Sequence, residues 1–125
     1  IGSNDLAQYL FASDRGNPLI GNRYDPLSPP MLAALRLLAE RCAAAGVPLS
    51  VCGEMAGSPL EAMALLGVGV RCLSMAPTLF GEVKLMVRSL HVGELTTFMA
   101  GLYRRPDHSV RERLKAFARD HGVQL

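Results

Sequence analysis

The sequence predicts an α/β fold in which short parallel strands alternate with helices. Two observations point there. Brief apolar runs recur between stretches whose apolar residues follow helical spacing. Small and polar residues stand at the C-terminal ends of those runs, which is where active sites lie in parallel α/β folds, (β/α)8 barrels included. Strands that alternate with helices pair in parallel through right-handed crossovers. A closed barrel takes about 250 residues. This chain has 125, so it holds roughly three of the eight units and cannot close a barrel alone.

Each element has its own signal. Ile1 to Ser3 read as the end of a strand. Asp5 to Ala12 form a short helix, with Leu6 and Leu10 on one face. Ser13 to Pro30 are an irregular loop broken by prolines, and a loop of that length in a compact domain is usually functional or disordered. Ser28 caps the next helix, with Pro29 and Pro30 tolerated in its first turn. Leu32, Leu35, Leu38 and Cys42 line that helix, and Gly46 stops it.

Leu49 to Cys52 are a short buried strand, and Gly53 to Ser58 a glycine-bearing loop. Ser58 and Glu61 form a capping box for a helix that ends near Gly67. Val70 to Met75 are a third strand. The rest is helical: Phe80, Val83 and Val87 share one face, and Leu95, Met99 and Leu102 another. Beyond Pro106, a second capping box at Ser109 and Glu112 opens a helix carrying Leu114 and Phe117.

Composition narrows the function. Half of the residues are hydrophobic and 19% are charged, an ordinary globular balance. A net charge of +2 with dispersed basic residues gives no footprint for nucleic acid, and Arg111 to Lys115 read as a solvated helix face. No run of about 18 apolar residues suggests a membrane span, and no signal peptide is visible. Three cysteines, Cys42, Cys52 and Cys72, without a close pair argue against a disulfide framework or a Cys-x-x-Cys metal site, and favour a reducing, cytoplasmic setting. The chain starts with Ile, inside a motif, which suggests a fragment or a processed product.

Four residues carry chemistry at the predicted strand ends. Asp5 suits Mg2+, which takes one or two protein carboxylates and completes its shell with waters and substrate oxygens. Asn4 and Asp5 also make an ordinary turn or helix cap. Arg15 presents a planar fork that matches a carboxylate or phosphate, unless it pairs with Asp14 or Asp25. Cys52 can give a proton to an enolate carbon if it stays protonated until needed. A buried, inert thiol is the simpler reading for Cys42 and Cys72. Glu54 either orients the loop or pairs with Arg15. His91, His108 and His121 have no metal-like spacing and read as surface residues.

The order of these motifs resembles the phosphoenolpyruvate-utilising enzymes. Ile1 to Tyr9 are similar to the family's strand-and-turn motif, with Ser3 and Ala7 where Thr is usual. Asp14 to Asn17 and Tyr24 to Pro29 match the next blocks, Cys52 to Gly57 the block around the catalytic cysteine, and Leu73 to Met75 the last barrel strand. The similarity is nearest to phosphoenolpyruvate–protein phosphotransferase, Enzyme I of the phosphotransferase system. The Met in Gly-Glu-Met-Ala-Gly and the added C-terminal helices favour the nitrogen type. Pyruvate phosphate dikinase and phosphoenolpyruvate synthase share the site and remain alternatives.

The resemblance implies the C-terminal portion of a (β/α)8 TIM-type barrel over residues 1–90, with a helical extension over 91–125. It implies a Mg2+-dependent enzyme that moves a phosphoryl group from phosphoenolpyruvate to a histidine and on to an HPr-like phosphocarrier protein, releasing pyruvate. Cys52 would be the catalytic acid. Asn4, Asp5 and Arg15 would bind substrate, with Asp5 also a metal ligand. The second acidic ligand, the other arginines and the phosphorylated histidine would lie upstream of Ile1, leaving this piece inactive alone. Ser58 stands where the family usually has Asp. A second hypothesis is a non-catalytic dimerisation or regulatory module, since open strand edges invite self-association.

Overall fold

A computed structural model describes residues 1–14, 16–17, 19–20 and 24–125. Arg15, named above as the anion clamp, lies outside the described residues. Helix α1 spans Ser3–Leu10, starting two residues before the expected Asp5, so Asn4 and Asp5 sit inside its first turn. Helix α2 spans Pro29–Ala44 with proline at its start, where a missing N–H costs no helical bond. Ser28 precedes it, but its hydroxyl makes no cap bond and is buried without a partner. Pro29 and Pro30 offer no N–H for it to accept.

A four-residue turn of helix, α3, covers Glu54–Gly57, and α4 follows at Pro59–Gly67. A 3-10 turn at Pro77–Leu79 leads into α5 at Phe80–Ser89. Helices α6 at Val92–Ala100 and α7 at Arg111–Asp120 complete the order. Helix α4 is apolar nearly all round, the pattern of a helix with no solvent face. It is the centre of the core: Leu60, Ala62, Met63, Ala64 and Leu65 are buried, and α2, α5, α6 and α7 pack around it. Gly67 permits the α4–α6 approach, because a Cβ there would lie 2.1 Å from the Met99 sulfur.

The expected α/β architecture is overturned. The described residues contain no β-strand and are predominantly helical, which is incompatible with a portion of a (β/α)8 TIM-type barrel. The three segments read as strands do meet, but only through isolated parallel bridges, Gly2 with Cys52 and Val51 with Leu73. The physical reason is local. Gly2 bridges once and Ser3 already enters α1. Cys52 is followed at once by Gly53 at φ +100°, which turns the chain into α3. Extended backbone two or three residues long gives one bridge and no ladder.

Smaller expectations also shift. Leu38 is exposed, so α2 buries a narrower stripe of Met31, Leu32, Leu35 and Ala39. In α5 the buried pair is Val83 and Met86, while Phe80 and Val87 face solvent. Cys72 is exposed and Cys42 half-buried, so neither is an interior thiol. Leu95, Met99, Leu102, Leu114 and Phe117 are core, as their spacing predicts. Among the described residues, no helix is long and apolar enough to cross a membrane.

Candidate functional site

The Ile1–Tyr9 and Cys52–Gly57 motifs meet in space. The Cys52 N–H donates to the Ile1 carbonyl at 2.9 Å, and the Ser3 N–H donates to the Cys52 carbonyl at 3.1 Å. The buried Ser3 hydroxyl adds a bond to that same carbonyl at 2.8 Å. Ser3 therefore does by hydroxyl what a Thr can do equally, so its departure from the usual residue leaves the contact possible.

Gly53 shows how close the approach is. A Cβ on it would fall 2.6 Å from the Ser3 hydroxyl oxygen and 3.4 Å from the Asn4 side-chain oxygen. Its φ of +100° is also a conformation that other residues rarely adopt. Glycine is required twice over, once by space and once by backbone. The result is that Asn4 lies over the turn that directly follows Cys52.

The Cys52 thiol is exposed and donates to the Ile1 carbonyl at 3.5 Å. Asp5 is exposed in the first turn of α1, one residue beyond Asn4. Asn4 and Glu54 stand in the wall of an open cavity of about 970 Å3, whereas Asp5 and Cys52 lie outside its lining. Asn4 and Cys52 are thus brought together, and Asp5 follows on the same turn.

The rest of the lining contains residues that spacing alone does not single out. Tyr24, Asp25 and Pro26 face the cavity with His108 and Arg111 from the C-terminal part of the chain. Arg111 forms a fork on Asp25: its Nε donates to Oδ2 and its Nη2 to Oδ1, both at 2.9 Å. The same Nη2 lies 2.6 Å from Glu61 Oε1 on α4. The Leu27 N–H and the Ser109 hydroxyl each donate to Asp25 at 2.8 Å. Burial would raise the Asp25 carboxyl, but these hydrogen bonds and the Arg111 charge together hold it below its ordinary value. Arg111 is in turn held well above its ordinary value, first by its bonds to Asp25 and then by Glu61.

This cluster corrects two readings. Arg111 is not part of a solvated helix face, and the two capping boxes do not form as boxes. The Ser58 hydroxyl donates to the Glu61 carboxylate instead of accepting a backbone N–H. Ser109 precedes the actual cap, Val110, and its oxygen accepts the Arg111 N–H at 3.1 Å. The signal available beforehand was Glu61 itself. A carboxylate in a helix apolar on every side is rarely buried unpaired, so a cationic partner was implied. His108 is exposed but edges the cavity, its ring centre 6.4 Å from that of Tyr24, which stacks on Phe11 at 4.4 Å.

Chemically, the site presents an amide, a thiol and the carboxylates of Asp5 and Glu54 on adjoining turns. Among the described residues, no group of three or more His, Cys, Asp or Glu side chains is placed to hold a metal ion. Asp5 fits Mg2+ only as one ligand in a shell completed by other oxygens, which is a usual arrangement for that ion.

These features belong to a recognisable class. The model of the family described as "PEP-utilising enzyme, PEP-binding domain" matches residues 1–92. The chain therefore belongs to the phosphoenolpyruvate-utilising enzyme family. It is 36% identical over 124 residues to a "Phosphoenolpyruvate-dependent phosphotransferase system" protein of Escherichia coli (strain K12), covering 98% of this chain and 17% of that protein. A "Phosphoenolpyruvate-protein phosphotransferase" of Borreliella burgdorferi is 39% identical over 95 residues, covering 76% of this chain and 17% of that protein. The protein of the same description from Cupriavidus necator is 41% identical over 95 residues, covering 76% of this chain and 16% of its own length. The chain thus spans about a sixth of the length of these relatives.

Proposed function

We propose that this chain is part of the substrate site of a phosphoenolpyruvate–protein phosphotransferase of the nitrogen type. The observation that carries the reading is the seating of Asn4 against the Cys52–Gly53 turn, which brings the amide next to the turn that carries the thiol. In this reading residues 1–90 carry the phosphoenolpyruvate site and residues 91–125 form a helical extension behind it.

The chemistry runs in two parts. The phosphoryl group leaves phosphoenolpyruvate for a histidine supplied by another part of the enzyme, and then passes to an HPr-like phosphocarrier. The enolate of pyruvate left behind takes a proton at carbon from the Cys52 thiol, giving pyruvate and a thiolate. Asn4 orients the substrate's phosphate and carboxylate, Arg15 clamps its negative charge, and Asp5 supplies one carboxylate for Mg2+. The ion, when bound, offsets charge on the transferring group, the main demand of phosphoryl transfer.

The test is pyruvate release by the full-length protein with Cys52→Ala. The expected outcome is a fall in kcat of about 10²-fold or more, as for loss of a general acid, with phosphoenolpyruvate binding retained. Undiminished turnover would contradict the acid role. The Asp5→Asn variant is expected to need a higher Mg2+ concentration for half-maximal rate.

A further inference from the structure

Arg111 stands where three distant parts of the chain meet: the segment ahead of α2, helix α4 and the start of α7. We propose that Arg111 is a positioning residue for the substrate site, holding the Tyr24–Pro26 wall of the cavity in place against the Asn4 wall. This rests on the phosphoenolpyruvate reading above and names a residue that acts on the same cavity from outside its chemistry.

The geometry assigns the role. Arg111 lines the cavity, yet its Nε and Nη2 are engaged by carboxylates, Asp25 through a fork and Glu61 through the shared Nη2. Flanked by two carboxylates, this guanidinium has its charge more than offset and does not draw a substrate anion. It acts instead through Asp25. Glu61 ties it to α4, the most buried helix, so the far end of the link is fixed by the core. A planar fork defines orientation as well as distance, which an ammonium does not.

The surrounding bonds point the same way. The Val110 N–H donates to the Leu27 carbonyl at 2.9 Å, and Ser109 holds the second side of Asp25. Tyr24, one residue before Asp25, stacks on Phe11 just beyond the end of α1. The two cavity walls are therefore joined by the Phe11–Tyr24 stack, while Arg111 sets where Tyr24 and Asp25 stand.

The experiment is a KM-against-kcat measurement of pyruvate release in the full-length protein. Arg111→Gln is expected to raise KM for phosphoenolpyruvate about tenfold with kcat within twofold. Arg111→Lys, which keeps the charge without the fork, is expected to fall between. Asp25→Asn should reproduce the KM shift, and the double variant should add little to either single one, because both break one link. Asp107→Asn, in the neighbouring exposed cluster, serves as control. If Arg111→Gln does not fold, Arg111→Lys and Asp25→Asn carry the test.

An unchanged KM in these variants, or a fall in kcat alone, would overturn the proposal. Absence of pyruvate release from the unsubstituted protein would overturn the phosphotransferase reading and this role with it. A normal rate in the unsubstituted protein beside an unchanged KM in the variants would overturn the role of Arg111 alone.

Discussion

Two arginine–carboxylate clusters flank the start of α7, and they differ in depth. Asp25, Arg111 and Glu61 have side chains 20%, 32% and 10% exposed, and they join residues up to 86 apart in sequence. Asp107 accepts from Arg105 at 2.7 Å and from Arg113 at 3.1 Å, with side chains 30%, 39% and 48% exposed, and it joins near neighbours. Both carboxylates are held below their ordinary range. Burial opposes this most strongly at Asp25, whereas at Asp107 the Arg105 hydrogen bond is the leading cause. The inner cluster therefore organises tertiary structure. The outer one decorates a turn, in water that screens it.

The comparison can be broken most sharply at Arg111. Arg111→Gln leaves Asp25 and the buried Glu61 without their cation, and a loss of about 2–3 kcal/mol is expected from urea unfolding at pH 7. Asp25→Asn removes a charged acceptor but keeps its shape, and a smaller loss of about 1–2 kcal/mol is expected in the same assay. Its pH signature is distinct. Because the folded carboxyl lies below the unfolded value of about 3.9, its contribution is present above that value. It is lost as pH falls through the lowered folded value. The Asp25→Asn protein should accordingly show a flatter acid limb in Tm against pH.

Asp107→Asn is expected to give the smallest effect, a Tm indistinguishable from the parent protein at 0.15 M salt. Raising the salt to 1 M shortens screening to about 3 Å, which should further weaken the outer cluster and spare the inner one. A large Tm loss in Asp107→Asn would abolish the distinction between the two.

The same contrast explains what could be read in advance. The Ser58–Glu61 and Ser109–Glu112 patterns marked α4 and α7, and periodicity located α2 and α6 with core residues such as Leu32, Leu35, Leu95 and Met99, because burial follows spacing along one helix. It misjudged α5, where Phe80 and Val87 turned out exposed, because a short helix can be rotated by the partner it packs on. It misread apolar runs such as Leu49 to Cys52 as strands, because a run's composition does not say whether pairing continues beyond one bridge. Asn4, Asp5 and Cys52 were visible as motifs. The Asp25–Arg111 link was not, since nothing local to either residue records a partner 86 positions away. Ser58 and Ser109 show the reverse failure. Their local capping pattern was present, but Ser58 gives its hydroxyl to Glu61 and makes no cap bond, and Ser109 stands one residue ahead of the actual cap.

The bond from Ser3 to the Cys52 carbonyl bridges 49 positions of chain. Closing a loop of that length carries an entropic penalty that local helix formation does not, though the penalty grows only slowly with length. The α4 core and the contacts of α6 and α7 around it can form without that closure. The Asn4–Cys52 junction rests on single bridges and not on a ladder, so it is expected to open before the buried α4 core. Its amides, such as Ser3 N–H and Cys52 N–H, should exchange with solvent through a partial opening that leaves α4 protected. The candidate site would thereby open before the helical core does.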